Sequence, residues 1–318
     1  MGDIFTPTFL LILLFSSIRG ATPLIFAALG GMFSERAGVI NIALEGLMLA
    51  GAFTAAVATY ELQNPYLGFL CGIAVGAIVA FVFAVAVIKF EADQVVTGFA
   101  VSLLMLGLPA VISSRLYDSA GSTQQIEIAY LFPPLSKVFS FLHWEFLKDI
   151  SLASVLAFLS VPICWYVLYK TPFGLRIRAA GENPEAADAA GVNVIRLRYI
   201  AVVISGVLAA AGGAYLSIGQ SSLFTRGMTA GRGYIALAAL ILAKWKPIPV
   251  LFACLFFGFT EALSIQMQGA SWAKINGEDI PVQFVQIIPY VLTIIVLAGF
   301  IGLSRAPKAL GIPYRKEN

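Results

Sequence analysis

The sequence predicts an all-α polytopic membrane protein of about eight to ten transmembrane helices, with an inverted internal repeat and one short helix on the cytoplasmic side. Three observations predict this class. Of 318 residues, 59% are hydrophobic and only 12% charged, about half the charged share of a soluble domain. The apolar residues gather into runs of roughly the 20 residues that cross a bilayer. A nine-residue pattern also returns 193 positions later in a second apolar run.

Taken in order, the first apolar run is Ile4–Ile18. It lacks the basic leader and small-residue cleavage site of a signal peptide, so it is read as a retained span. It either stops short or continues as a bent helix through Thr22-Pro23 to Phe33. Further spans follow at Asn41–Tyr60, Tyr66–Ile88, Gln94–Ser114 and Ser151–Tyr169, then at Leu197–Ile218, Pro249–Met267 and Phe284–Leu303. Gly68, Gly72 and Gly76 recur at every fourth position, which predicts a smooth strip for close helix packing. Tyr234–Ala243 is too short to span. The glycines before it, Gly227, Gly231 and Gly233 around Arg226 and Arg232, suit a broken-helix entrance on the outer face. The 115–150 loop is placed outside, with Trp144 and Phe146 suited to an interfacial helix. Cys71, Cys164 and Cys254 all fall within apolar runs and read as small buried hydrophobes, without metal or disulfide spacing.

Ile42-Ala-Leu-x-x-Leu-Met-Leu-Ala50 recurs as Ile235-Ala-Leu-x-x-Leu-Ile-Leu-Ala243, and Gln94-Val-Val recurs at nearly the same offset as Gln286-Ile-Ile. The second pair opens one span running outward and one running inward. This predicts repeat halves of about 20–114 and 197–303 in a single domain, 1–318, with a solute path between them. Orientation follows from charge. With the 170–198 loop inside, thirteen of the 20 Lys and Arg are cytoplasmic (Arg36, Lys89, Lys170, Arg176, Arg178, Arg196, Arg198, Lys244, Lys246, Arg305, Lys308, Arg315 and Lys316), as the positive-inside rule requires.

Polar groups at membrane depth are costly unless they face a partner or a polar cavity. Asn41 and Glu45 are four apart and are expected on one helical face, as are Glu261, Ser264 and Gln268 on another, and Gln286, Tyr290 and Thr293 on a third. Asn41, Glu45, Gln94, Phe99, Glu261, Gln286 and Tyr290 are therefore the candidate path-lining residues. For the two glutamates an alternative is structural: Glu45 paired with Arg36, and Glu261 satisfied by a neighbouring helix. Phe99 and Tyr290 are suited to stacking on a flat ring. No catalytic constellation, metal spacing or phosphate loop is present, and His143 is the one histidine. The basic residues sit at span ends rather than in a patch, which excludes a nucleic-acid reading. Energy must come from a separate ATPase or an ion gradient.

The densest charge lies in the cytoplasmic loop 170–198, KTPFGLRIRAAGENPEAADAAGVNVIRLR. Its centre predicts a helix of about two turns: Asn183 as N-cap, Pro184 first, Glu185 at the positive end, then Ala186, Ala187, Asp188, Ala189 and Ala190, with Gly191 as stop. Such a helix offers methyl groups to a partner surface, while Arg176, Arg178, Arg196 and Arg198 hold it at the membrane face. The run from Glu185 to Gly191 resembles the EAA loop of ATP-binding-cassette (ABC) importer permeases. Arg178–Gly191 and the stretch Phe33–Gly46 both resemble the permease family for simple sugars and nucleosides. Within it they look most like the shorter permease of nucleoside systems whose receptors are lipoproteins of the basic-membrane-protein type. The resemblance extends from about Ala21 to about Gly302.

That resemblance implies a bacterial inner-membrane translocation subunit, not itself an enzyme and without a cofactor of its own. It implies a homologous second permease, an ATPase with two nucleotide-binding modules and an extracytoplasmic lipoprotein. It implies that Arg178, Asn183, Pro184, Glu185, Ala186, Ala187 and Gly191 engage the ATPase. A nucleoside is the expected solute, ahead of a simple sugar or riboflavin. The competing class is an ion-coupled secondary transporter, which gives the small-residue cytoplasmic helix no role.

Overall fold

The computed structural model describes residues 7–119, 121–134, 150–268 and 305–315, with 274–275, 278–279, 287, 291 and 294–295. Most of the expected span Phe284–Leu303, including Gln286, Tyr290 and Thr293, lies outside the described residues, as do His143, Trp144 and Phe146. The expected second repeat half, 197–303, is therefore only partly described.

Ten α-helices have both ends among the described residues: α1 Pro7–Arg36, α2 Leu44–Leu62, α3 Pro65–Ala84, α4 Gln94–Tyr117, α5 Leu152–Lys170, α6 Pro172–Glu182, α7 Pro184–Ala189, α8 Val194–Ala214, α9 Arg232–Leu242 and α10 Pro247–Met267. α3 and α8 run on as π-helical turns, Val85–Lys89 and Tyr215–Gln220. Among the described residues strand structure is confined to an antiparallel pair, Lys274–Ile275 with Glu278–Asp279, and two isolated bridges. Among the described residues six helices are long and apolar enough to cross a membrane: α1, α3, α4, α5, α8 and α10. The caps are those the sequence encodes. Asn64, Asp93, Thr171, Asn183 and Asn193 each accept a backbone N–H of the helix they precede, with proline at the first position after Asn64, Thr171 and Asn183.

α1 decides between the two readings of the N-terminal run, because it continues unbroken through Pro23. Thr22 Oγ1, beside the proline, donates to the Ile18 carbonyl at 2.8 Å, and a proline inside a membrane helix is tolerated where packed neighbours surround it. α1 lies against α8, α9 and α10, while α2 is enclosed by α3, α4 and α8. Lipid supplies no hydrophobic drive between helices, so close backbone approach through small residues holds them. A Cβ on Gly72 would lie 2.8 Å from the Gly51 carbonyl, and one on Gly76 2.2 Å from Ala210 Cβ. Cys164 and Cys254 are buried and Cys71 half-buried, all three as free thiols.

The bundle has two distinct ends. At one, Arg36 donates to the Trp245 carbonyl at 2.8 Å, the Trp245 indole to Glu35, and α6 packs beside the end of α1 with α7 against α6 and α8. At the other, residues 121–134 lie across 218–226: the Thr123, Ile126 and Phe132 amides donate to the Phe224, Ser222 and Ile218 carbonyls at 3.0, 2.7 and 2.8 Å. Phe224 meets Phe53 edge-on there. The first end carries the basic residues and is cytoplasmic by the positive-inside rule.

Two expectations about the loop are corrected. The amphipathic helix α6 precedes α7 where only one helix was expected. Arg198 does not anchor the loop at the membrane surface: it is 2% exposed and donates to the Ala37 and Ile312 carbonyls at 3.1 and 2.9 Å. Arg178 instead lies over the Tyr169 ring.

Candidate functional site

Residues 37–43 leave the cytoplasmic end without helical structure and run inward to the start of α2. Asn41 Nδ2 donates to Ser205 Oγ at 2.8 Å, and Ser205 lies roughly 16 Å into α8 at 1.5 Å per residue. That depth is about half of a 30 Å hydrocarbon core. Irregular backbone survives there because protein encloses it. Asn41 thus precedes α2 and does not share a helical face with Glu45, since the helix begins only at Leu44. The two side chains reach different partners.

Glu45 reaches α9. Its Oε1 accepts from Thr229 Oγ1 at 2.6 Å and the Gly231 amide at 2.9 Å, and its Oε2 accepts from the Gly233 amide at 2.7 Å. The first amides of a helix have no intrahelical acceptor. Gly231, the N-cap of α9, has no side chain to supply one, so a carboxylate from α2 does so and also meets the positive end of the helix dipole. The alternative of a Glu45–Arg36 pair is not what forms, since Arg36 is spent on Trp245. Gly233 makes the approach possible: a Cβ there would lie 2.5 Å from the Glu45 nitrogen.

Glu261 on α10 pairs with Arg232 at the first position of α9, whose guanidinium also donates to the Met228 carbonyl at 3.2 Å. Charges of both signs therefore meet at this break, each with a partner, as membrane depth requires. Beside them is a cavity of about 190 Å³ lined by Ser16, Arg19, Gly20, Gln220, Glu261, Ala262 and Ile265. It is smaller than the roughly 300 Å³ of a typical complete ligand pocket. Gln94, buried at the start of α4, accepts the Ile40 amide on its Oε1 at 2.7 Å and so ties α4 to the inward-running segment. Phe99 on α4 is 47% exposed, its ring 6.0 Å from that of Tyr234 on α9. The two recurring nine-residue stretches fall on α2 and α9. α9 runs from Glu45 toward the Arg36 end, whereas α2 runs from the same point toward Phe224.

At the cytoplasmic end the geometry of α7 follows the sequence closely. Asn183 Oδ1 accepts the Ala186 amide at 3.0 Å. Gly191 turns the chain at φ +82°, a conformation that costs glycine little. Glu185, Ala186, Ala189 and Ala190 face outward, whereas Ala187 is 5% exposed. Ala187 was expected to meet a partner, but it faces inward because the short helix seats one side against α6 and α8.

Sequence reasoning missed Thr229 as a partner of Glu45, the Arg232–Glu261 pair and Tyr234. The Gly-Arg-Gly at 231–233 ahead of an apolar run was the available signal.

Among the described residues no group of three or more metal-ligating side chains gathers. Residues 13–297 match the family model described as "branched-chain amino acid transport system / permease component". The chain is 43% identical to the guanosine ABC transporter permease protein NupQ of Bacillus subtilis, over 93% of this chain and 94% of that protein. It is 37% identical to TsgC13 of Haloferax volcanii, a candidate glucose ABC transporter permease, over 96% and 98% of the two chains. A second guanosine permease protein of the same Bacillus strain, NupP, is 25% identical over 89% of this chain and 80% of its own length.

Proposed function

This chain belongs to the branched-chain amino acid transport system permease component family, and from that premise we propose that it is the membrane-spanning subunit of an ATP-driven importer whose solute is a nucleoside. It is a multi-pass protein of the cytoplasmic membrane. The observation that carries the reading is α7, a six-residue helix of small residues capped by Asn183, standing outside the apolar bundle at its basic end. A soluble ATPase with two nucleotide-binding modules docks on the outward face of that helix, through Glu185, Ala186, Ala189 and Ala190. Arg178, Asn183, Pro184, Ala187 and Gly191 hold the face in shape from within.

Transport then alternates at the break between α2 and α9. Polar contacts there join α2, α9 and α10, and the inward-running 37–43 segment that leads into α2 is bonded to α4 and α8. The ion-coupled alternative is less well supported, because Glu45 and Glu261 are both engaged by fixed partners. A homologous second permease completes the path, as the two distinct guanosine permeases of one Bacillus strain suggest, and an extracytoplasmic lipoprotein delivers solute. The neighbouring exposed rings of Phe99 and Tyr234 suit a nucleobase, for which stacking is worth about 1–3 kcal/mol. A simple sugar is the second reading, favoured by the similarity to TsgC13.

The test uses sealed vesicles holding the full complex. Uptake is expected to require ATP, to survive an ionophore, and to be lost in Ala186→Arg, which sets a charge on the docking face without burying it. Uptake that persists without ATP and collapses with the ionophore would overturn the reading.

A further inference from the structure

Residues 305–315 are not part of any helix, yet they bond to α6, α7, α8 and the inward-running 37–43 segment. The Ala309 amide donates to the Gly181 carbonyl at the end of α6 at 2.9 Å, and the Gly311 amide to the Gly38 carbonyl at 3.1 Å. Arg198 Nη1 of α8 donates to the Ile312 carbonyl at 2.9 Å. The Tyr314 hydroxyl is hydrogen-bonded to Asp188 of α7. Gly311, at φ +79°, presses so close to Ile40 that a Cβ would lie 2.9 Å from its Cδ1. Gly181 is itself seated on the end of α1, where a Cβ would lie 2.1 Å from the Arg36 carbonyl.

The segment therefore bonds α7 at one point and the 37–43 segment at another. From Ile40 and Asn41, contacts continue to Gln94, Ser205 and, through α2, to Glu45 and α9. We infer that residues 305–315 form the strap that carries movement of α7 to the inward-running segment at the base of α2, with Tyr314 and Gly311 as its two positioning residues. A bonded strap moves with both ends, whereas α7 has only a short packed side of its own against the bundle. This inference rests on the reading of α7 as the ATPase-docking helix.

The test compares wild type, Tyr314→Phe and Gly311→Val in vesicles holding the whole transporter, measuring ATP hydrolysis, uptake and retention of the ATPase on the permease. Tyr314→Phe deletes only a hydroxyl. It should leave basal hydrolysis and ATPase retention as in wild type and lower the uptake per ATP hydrolysed about 3- to 10-fold, the scale of one lost hydrogen bond. Gly311→Val should lower that ratio at least as far. A purely structural strap would reduce folded protein and both activities together, leaving the ratio unmoved. An unchanged ratio in Tyr314→Phe and Gly311→Val would overturn the inference while leaving the importer reading intact. Wild-type uptake that is independent of ATP would overturn that reading, and the inference with it.

Discussion

Replacing Glu45 by alanine tests how α9 is held in mid-membrane. The carboxylate accepts three hydrogen bonds, from Thr229 Oγ1 and the Gly231 and Gly233 amides, all between 2.6 and 2.9 Å. Bonds to a charged group contribute about 1.5–3 kcal/mol each, and a buried donor left unpaired costs about 1–3 kcal/mol. Three such bonds would sum to about 5–9 kcal/mol. Water entering the vacated space recovers part, which leaves an expected loss of about 3–6 kcal/mol in the local stability of the start of α9. At about 1.4 kcal/mol per tenfold change, the Gly231 and Gly233 amides should exchange roughly 10²- to 10⁴-fold faster in Glu45→Ala. Hydrogen exchange read by mass spectrometry on a peptide covering 229–235 measures this. Glu45→Gln keeps one acceptor oxygen and should fall between wild type and alanine. Unchanged protection of that peptide in folded Glu45→Ala would refute the account of Glu45 as the cap of α9.

Two further outcomes are expected. Gly213→Ala would place a Cβ 1.8 Å from the Met48 carbonyl, where α8 touches α2, whereas Gly107→Ala meets nothing within 4 Å. Thermal unfolding in detergent should show a loss of about 3 kcal/mol or more for the first, at the upper end of overpacking costs, and a change within about 0.5 kcal/mol for the second. Arg315 forms a salt bridge with Glu91 at the cytoplasmic end, and that hydrogen-bonded partner holds the Glu91 carboxyl below its ordinary 4.5. A depressed carboxyl contributes fully above its unfolded value and loses that contribution as pH falls through its folded value. The Arg315 Nε–H, which donates to Glu91 at 2.6 Å, should therefore keep a steady NMR shift above about pH 4.5 and move as pH falls below it. Glu91→Gln should remove that dependence.

Much of the fold was legible because a bilayer leaves so little choice. Each run of about 20 apolar residues has to be a helix, since its backbone can find partners only within itself. The caps Asn64, Asp93, Thr171, Asn183 and Asn193 work through contacts two or three residues away. Local sequence therefore determines where the helices α3, α4, α6, α7 and α8 begin, and α7 emerged with the predicted cap and stop. The glycine strip on α3 was equally readable, because a missing Cβ matters to any neighbour. What the sequence could not decide was who those neighbours are. Asn41 and Glu45 have helical spacing, yet α2 begins only at Leu44, and one side chain goes to Ser205 while the other goes to the amides of α9. Ala187 sits amid residues that face outward and is itself turned in, because a two-turn helix must seat one side somewhere. Arg198 carries the charge pattern of a membrane-surface anchor but is buried, since two backbone segments converge around it, at Ala37–Gly38 and at Ile312. Contacts across 114 to 188 positions of chain leave no periodicity in the sequence. Their partners are fixed only once the helices pack, when each buried charge must take the acceptor or donor that packing brings within reach.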